Sequence, residues 1–269
     1  AREGQLAQFV EEQYRALDSA ADNRGVLFTG PAGTGKTFLA AESAQREVAQ
    51  GRAGRLLCFN RLLGRSLREK LMDVVGLRVG TLHQEMLRLA GMSGPPADAD
   101  SDFWERVLPE KALEGLAERS AEEVGDFLIV DEIQDIATGT YLDLLDLLVK
   151  GGLRDGRVLM FGDFERQAIY GSEGAREVLR ARSPHLASFR LSENCRNLPR
   201  IGYQVNLLGH LTPGFREFRR TDDGIDPTII KYVRGEDQAA ILRKVVGDLR
   251  DEGFDLTEIV VLSPLGDSS

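Results

Sequence analysis

Short apolar runs recur along the chain between stretches of helical periodicity. Val26-Leu27-Phe28, Leu56-Leu57-Cys58-Phe59, Phe127-Leu128-Ile129-Val130, Val158-Leu159-Met160-Phe161 and Phe189-Arg190-Leu191 show little polar alternation, the pattern of strands buried on both faces. The segments 38–49, 62–74, 141–149 and 173–181 repeat apolar residues at helical spacing and would cover the two faces of a parallel sheet. The pattern predicts a doubly wound α/β fold.

The strand pattern stops between Gly91 and Asp126. Gly91-Met92-Ser93-Gly94-Pro95-Pro96, followed by Asp98, Asp100 and Asp102, reads as a loop leading into a short helix, so 91–126 is expected to be a small helical insertion. Its Phe103, Trp104, Val107, Leu108, Leu113 and Leu116 are read as packing residues. A helix is predicted over 201–211, and the turn-rich stretch from Thr212-Pro213-Gly214 to Gly224 reads as a linker. Beyond it, Ile229-Ile230-Lys231-Tyr232, a helix over 238–250 and Ile259-Val260-Val261-Leu262 predict a strand-helix-strand start. The expected organisation is one α/β domain over 1–211, then a linker and a truncated second domain over 212–269.

Composition narrows the class. The 269 residues with 42% hydrophobic content suffice for one large α/β domain and part of another. No run of about 18 apolar residues is present to span a bilayer, and Ala1-Arg2-Glu3-Gly4-Gln5 has neither region of a signal peptide; a soluble, cytoplasmic protein without membrane contact is expected. Cys58 and Cys195 are far apart and read as reduced thiols, and His185 and His210 carry no zinc-type spacing. Net charge is -9, yet 52–88 holds eight basic residues (Arg52, Arg55, Arg61, Arg65, Arg68, Lys70, Arg78, Arg88) against three acidic ones. That segment is a candidate phosphate-backbone face; on charge alone, Arg61, Arg65 and Arg68 are read more simply as solvating an amphipathic helix.

The chemistry starts at Gly30-Pro31-Ala32-Gly33-Thr34-Gly35-Lys36-Thr37, directly after the first predicted strand and before the first predicted helix. Glycines let backbone N–H groups curl around phosphate oxygens, and the helix N-terminus adds partial positive charge. Lys36 is expected to reach the β- and γ-phosphates of ATP and Thr37 to ligate Mg²⁺. At the end of the third predicted strand, Asp131 would hold the metal and Glu132 would polarise the attacking water.

Three further stretches narrow the family. Asp131-Glu132-Ile133-Gln134-Asp135, then Gly162-Asp163-Phe164-Glu165-Arg166-Gln167-Ala168-Ile169-Tyr170, then Glu193-Asn194-Cys195-Arg196-Asn197 occur in that order. Together with the phosphate loop they resemble the UvrD/Rep-type superfamily I helicases, which carry D-E-x-Q-D, G-D-x-x-Q-x-I-Y and N-Y-R in those places. The resemblance runs from Gln13 to Leu262. A narrower likeness, through Cys58-Phe59-Asn60-Arg61-Leu62-Leu63 and Thr81-Leu82-His83, is to the helicase part of proteins that join a nuclease-related (NERD) domain to a UvrD-like ATPase. The resemblance implies a first RecA-like domain in which Gln13 reads the adenine edge, Gln167 senses the γ-phosphate and Arg196 neutralises charge on the transferred phosphoryl group. It also implies nucleic-acid contacts at Asn60, Arg61, Thr81 and His83. Phe59 could stack on a base, but its place in an apolar run reads as core.

The sequence departs from that family in three ways. Cys195 stands where the family has a tyrosine that stacks on adenine. Only a short stretch separates Thr81 from Asp131, too short for a large helical insertion. Of a second RecA-like domain with its arginine finger, only the truncated start over 212–269 is expected in this chain. The leading expectation is an Mg-ATP-hydrolysing motor domain acting on single-stranded nucleic acid, DNA before RNA, in cis with that missing domain and with a possible nuclease domain upstream. The alternative is a nucleotide-dependent switch or binding module with the same ATPase fold and no unwinding activity.

Overall fold

The structure, a computed structural model, describes residues 11–164, 174–211, 214–231 and 238–261, with the side chains of 119–122 excepted. The chain divides into two units, 1–225 and 226–269.

In the first unit, six strands form one parallel sheet: β1 (Gly25–Thr29), β2 (Gly54–Cys58), β3 (Leu77–Thr81), β4 (Phe127–Asp131), β5 (Arg157–Gly162) and β6 (Ala187–Arg190). Their order is β3-β2-β4-β5-β1-β6, with Val26 opposite Leu159 and Ile129 opposite that same residue from the other side. The alternation of side chains along each strand divides the core in two. Val26, Phe28, Leu56, Cys58, Ile129, Leu159 and Phe161 face α1 (Glu11–Asp22), α2 (Lys36–Ala49) and α3 (Arg61–Lys70). Leu27, Leu57, Leu128, Val130, Val158 and Met160 face α4 (Leu82–Leu89), α5 (Leu108–Glu123), α6 (Gly139–Leu147), α7 (Gly152–Asp155) and α8 (Ala175–Arg182). Burial on both faces is why these strands read as continuous apolar runs.

Strand β3 escaped the apolar pattern because Leu77-Arg78-Val79-Gly80-Thr81 is an edge strand with only its last two residues buried. The insertion is firmer than a loop and short helix: a π-helical turn, Phe103–Val107, runs into the 16-residue α5, and Phe103, Leu108 and Leu116 lie in the core.

The stretch expected to be a linker packs on its own unit. A short parallel ladder joins β7 (Glu193–Asn194) to β8 (Glu217–Phe218), and Phe218 stacks edge-on against Tyr203 of α9 (Pro199–Leu208). Phe215 is buried, and its N–H donates to Asn206 Oδ1 at 3.0 Å.

Among its described residues the second unit holds α10 (Gln238–Asp251) and a 3-10 turn, Leu256–Glu258, capped by Asp255. The expected strands at Ile229–Tyr232 and Ile259–Leu262 do not form among the described residues; Tyr232 and Leu262 lie outside them. The physical reason is the lack of a ladder partner there: Ile229, Ile230, Val260 and Val261 are between 47% and 77% exposed, and an unpaired segment gains neither hydrogen bonds nor a buried face.

Candidate nucleotide site

The phosphate loop connects β1 to the N-terminus of α2, so Gly30–Thr37 sits at the carboxyl edge of the sheet, where open α/β sheets bind ligands. Thr34 Oγ1 donates to the Pro31 carbonyl at 2.9 Å. The Lys36 ammonium folds back over the loop, donating to the carbonyls of Gly30 at 2.8 Å and Pro31 at 3.3 Å. Gly33 adopts φ +97°, and a Cβ there would meet the Asn194 amide and Arg196 Cβ at 3.2–3.3 Å.

Strand β4 ends in the acidic pair. Asp131 is fully buried; its Oδ1 accepts from the Glu132 N–H at 3.0 Å, while Oδ2 accepts no hydrogen bond among the described residues. Burial pushes its carboxyl up to about 6, with the charge of Glu132 adding to the rise and the Thr37 hydroxyl and Lys36 ammonium opposing it. An orphaned buried carboxylate oxygen next to a threonine hydroxyl is a donor set that fits a hard divalent cation such as Mg²⁺. Glu132 stands in the left-handed region at φ 54°, ψ 47°, a backbone state rare for a residue with a side chain.

One cavity of about 320 Å³ is lined by Ala32, Gly33, Gly35, Lys36, Thr37, Glu132 and Arg196, among others. It therefore brings together the phosphate loop, the second acidic residue and the arginine beyond β7. Gln13, on α1, is buried, and its Nε2 donates to the Thr34 carbonyl at 3.1 Å and to Cys195 Sγ at 3.5 Å. Cys195 is thus beside the glutamine expected at the adenine edge, and burial, with the nearby Glu193 carboxylate, pushes its thiol up to about 11. Gln167 lies outside the described residues.

The expected nucleic-acid residues fall together but do two kinds of work. Asn60 Oδ1 caps α3, accepting from the N–H groups of Leu62 and Leu63 at 2.9 and 3.1 Å. Thr81 is buried and forms a capping box with Gln84 on α4, a device that stabilises a helix start by roughly 1 kcal/mol. Arg61 is exposed beside that cap. His83 Nε2 lies 3.3 Å from the Tyr141 hydroxyl, its ring meets Phe59 and Trp104 edge-on at 5.0 Å, and burial lowers its pKa. The reading of Phe59 as core is overturned: β2 ends at Cys58, and Phe59 is 37% exposed just past the strand tip.

The basic segment is largely neutralised within the protein. Arg52 pairs with Glu47, Arg65 with Glu69, and Arg78 and Arg88 with Glu123. Arg55 is buried between Glu85 and Glu123, at 2.8 Å from each. Among the described residues, Arg61, Arg68 and Lys70 make no such ion pair; Arg68 donates to Gln84 and the Val79 carbonyl, and Lys70 lies over the Phe38 ring.

Sequence reading gave no role to three residues that tie the site together. Glu12 accepts from the Ser192 N–H and hydroxyl and from the Glu193 N–H at 2.7–3.0 Å, joining α1 to the approach of β7. Asn194 Oδ1 accepts from the N–H groups of Arg196 and Asn197 at 2.9 and 2.8 Å. Gln134 bonds both Glu132 and Asp163. Gln134 and Asn194 left a trace in the sequence, as parts of the Asp-Glu-x-Gln-Asp and N-Y-R-like runs, and Glu12 left none.

The profile of a family described as an AAA domain matches residues 13–173. The chain belongs to that family. No curated protein matches it. Among solved structures it is similar to a chain from a structure of two coordinating Pif1 helicases at forked dsDNA, at 19% identity over 68% of this chain and 43% of that one, TM-score 0.36. Pif1 helicase from Candida albicans matches at 14% identity over 91% and 55%, TM-score 0.47. Bacteroides Pif1 bound to ssDNA matches at 17% over 90% and 56%, TM-score 0.38. The chain spans about half the length of these structures. No helix among its described residues is long and apolar enough to cross a membrane.

Proposed function

We propose that this chain is the Mg-ATP-binding and hydrolysing first motor domain of a superfamily I helicase or translocase of UvrD/Rep type, acting on single-stranded nucleic acid together with a second RecA-like domain. The observation that carries the reading is the meeting of Lys36, Thr37, Glu132 and Arg196 around one cavity, with Asp131 buried beside it. In this reading Lys36 exchanges its carbonyl partners for phosphate oxygens, and Gln13 reads the base. Thr37 and Asp131 hold the magnesium ion, which when bound offsets charge on the phosphates. Glu132 accepts the proton of the attacking water, and Arg196 balances charge that develops on the transferred group. Phe59, exposed beside the α3 cap, supplies a face on which a base can stack, with His83, Asn60, Thr81 and Arg61 around it.

The test is equilibrium binding of a fluorescent ATP analogue with magnesium, with hydrolysis measured alongside. The chain should bind weakly and turn over slowly, because an arginine finger from a second domain is worth about 10³–10⁵ in rate. Lys36→Ala should abolish binding, and Glu132→Gln should bind without hydrolysing. Absence of nucleotide binding would remove the proposal, and rapid DNA-stimulated turnover by this chain alone would remove its reliance on a second domain.

The neutralised basic segment favours a second reading, a nucleotide-dependent switch that grips a protein partner. Single-stranded DNA binding that falls steeply with salt supports the motor; no nucleic-acid binding in any nucleotide state supports the switch.

A further inference from the structure

We propose that Gln134 is a positioning residue that fixes the Glu132 carboxylate and locks it to the backbone at the carboxyl tip of β5. The inference rests on the hydrolytic reading above and deepens it. Gln134 Nε2 donates to Glu132 Oε2 at 2.7 Å, and Gln134 Oε1 accepts from the Asp163 N–H at 3.0 Å. A primary amide is suited to this bridge because it offers a donor and an acceptor at once, whereas a carboxylate at neutral pH offers no donor and an apolar chain offers neither.

The backbone around the bridge is built to bring the three groups together. The left-handed conformation of Glu132 turns the chain sharply out of β4, and the following 3-10 turn, Ile133–Asp135, is anchored by the fully buried Ile133. Gln134 is thereby carried towards β5, the strand between β4 and the phosphate-loop strand β1. Gly162, the last residue of β5, leaves the room: a Cβ there would stand 2.8 Å from Ile133 Cγ2 and 2.9 Å from Gln134 Oε1. The amide therefore joins the carboxylate that lines the nucleotide cavity to the start of the segment leading to Gln167. A side chain that merely capped the turn would need only one of these bonds.

Three variants separate the bridge from its surroundings. Gln134→Glu keeps an acceptor for the Asp163 N–H but sets a second carboxylate against Glu132; Gln134→Leu removes both bonds; Gly162→Ala keeps both residues and displaces the amide. In each, kcat for ATP should fall about tenfold or more, while the Kd of a fluorescent ATP analogue stays within about twofold of wild type. Unchanged kcat in both Gln134 variants would overturn the proposal. A second measurement needs no turnover: hydrogen exchange at the Asp163 amide should quicken about tenfold in Gln134→Leu and also in Glu132→Ala, where the amide loses its 2.7 Å bond and keeps only a 3.5 Å contact with Asp135 Oδ2. Unaltered exchange in Glu132→Ala would overturn the lock. A wild-type chain that hydrolyses no ATP would instead overturn the function proposed above, and the exchange result would then decide the lock alone.

Discussion

The backbone N–H of Cys195 donates to the carbonyl of Gly33 at 2.8 Å, so the loop that bears Arg196 is fastened to the phosphate loop itself. Gln13 closes the same clasp from α1 through the Thr34 carbonyl and Cys195 Sγ, and Glu12 holds α1 to Ser192 and Glu193. Three segments distant in sequence are thus held as one body around the cavity. A ligand that shifts the phosphate loop must move the arginine loop or break that bond.

Gly33→Ala tests the clasp. The new Cβ would sit at φ +97° against Asn194 and Arg196, and a non-glycine residue in left-handed backbone costs about 1–2 kcal/mol. Stability should fall by that amount, lowering the melting temperature, and ATP-analogue binding should weaken by more than the loss in stability explains, because the loop can no longer approach Arg196. Titration of the analogue beside a thermal melt checks both.

The buried network on the opposite side of the sheet should govern acid stability. The Arg88 guanidinium, helped by Arg78 and opposed by burial, holds Glu123 down to about 2. A carboxylate depressed in the folded state contributes stability above its unfolded pKa and loses it as pH falls through the folded value. The contribution, on the order of 1–3 kcal/mol, should be complete above pH ~4.5 and vanish towards pH ~2. Urea melts across that range should show Glu123→Gln with a flatter acid limb than wild type.

Arg55→Leu should be more damaging than any surface arginine change. It would remove the buried cation between Glu85 and Glu123, which keep Arg88 and, for Glu123, Arg78, so the cost should fall towards the lower end of the about 3–5 kcal/mol for breaking a buried pair. Arg65→Leu, which loses only an exposed pair with Glu69, should cost less than about 1 kcal/mol. Denaturant midpoints for the two variants give the comparison directly.

These networks also explain what the sequence could and could not tell. The strands of the sheet centre and the phosphate loop were legible because burial on both faces leaves a local signature, and because a glycine-rich turn between strand and helix serves one chemistry. Strand β3 was missed since an edge strand with Arg78 facing out has no apolar run. The charge cluster at 52–88 stood out as a candidate phosphate face, against the simpler reading of a solvated helix, because two of its partners, Glu47 and Glu123, lie outside it, and no local pattern reveals an ion pair closed by the fold. Phe59 was placed in the core for a related reason: the apolar run extends one residue past the end of the ladder. Asn194 was visible only as the first residue of the N-Y-R-like run, which does not show that its side chain holds the backbone of Arg196 and Asn197, and nothing in the neighbourhood of Glu12 marked it.

The exposed position of Phe59 supplies the sharpest test of the nucleic-acid side. Its ring meets His83 edge-on at 5.0 Å, and His83 is itself braced by Trp104 and the Tyr141 hydroxyl, so the platform is already assembled without a ligand. A base stacked on an aromatic ring is worth about 1–3 kcal/mol, which puts Phe59→Ala roughly ten- to a hundredfold down in affinity for a single-stranded oligonucleotide. Because stacking is uncharged, the salt dependence of binding should keep its slope in Phe59→Ala, whereas Arg61→Ala should reduce it by about one phosphate contact. Fluorescence anisotropy with a labelled oligonucleotide at several salt concentrations separates the two. Equal affinity of wild type and Phe59→Ala would show that the aromatic cluster only braces the insertion against the sheet.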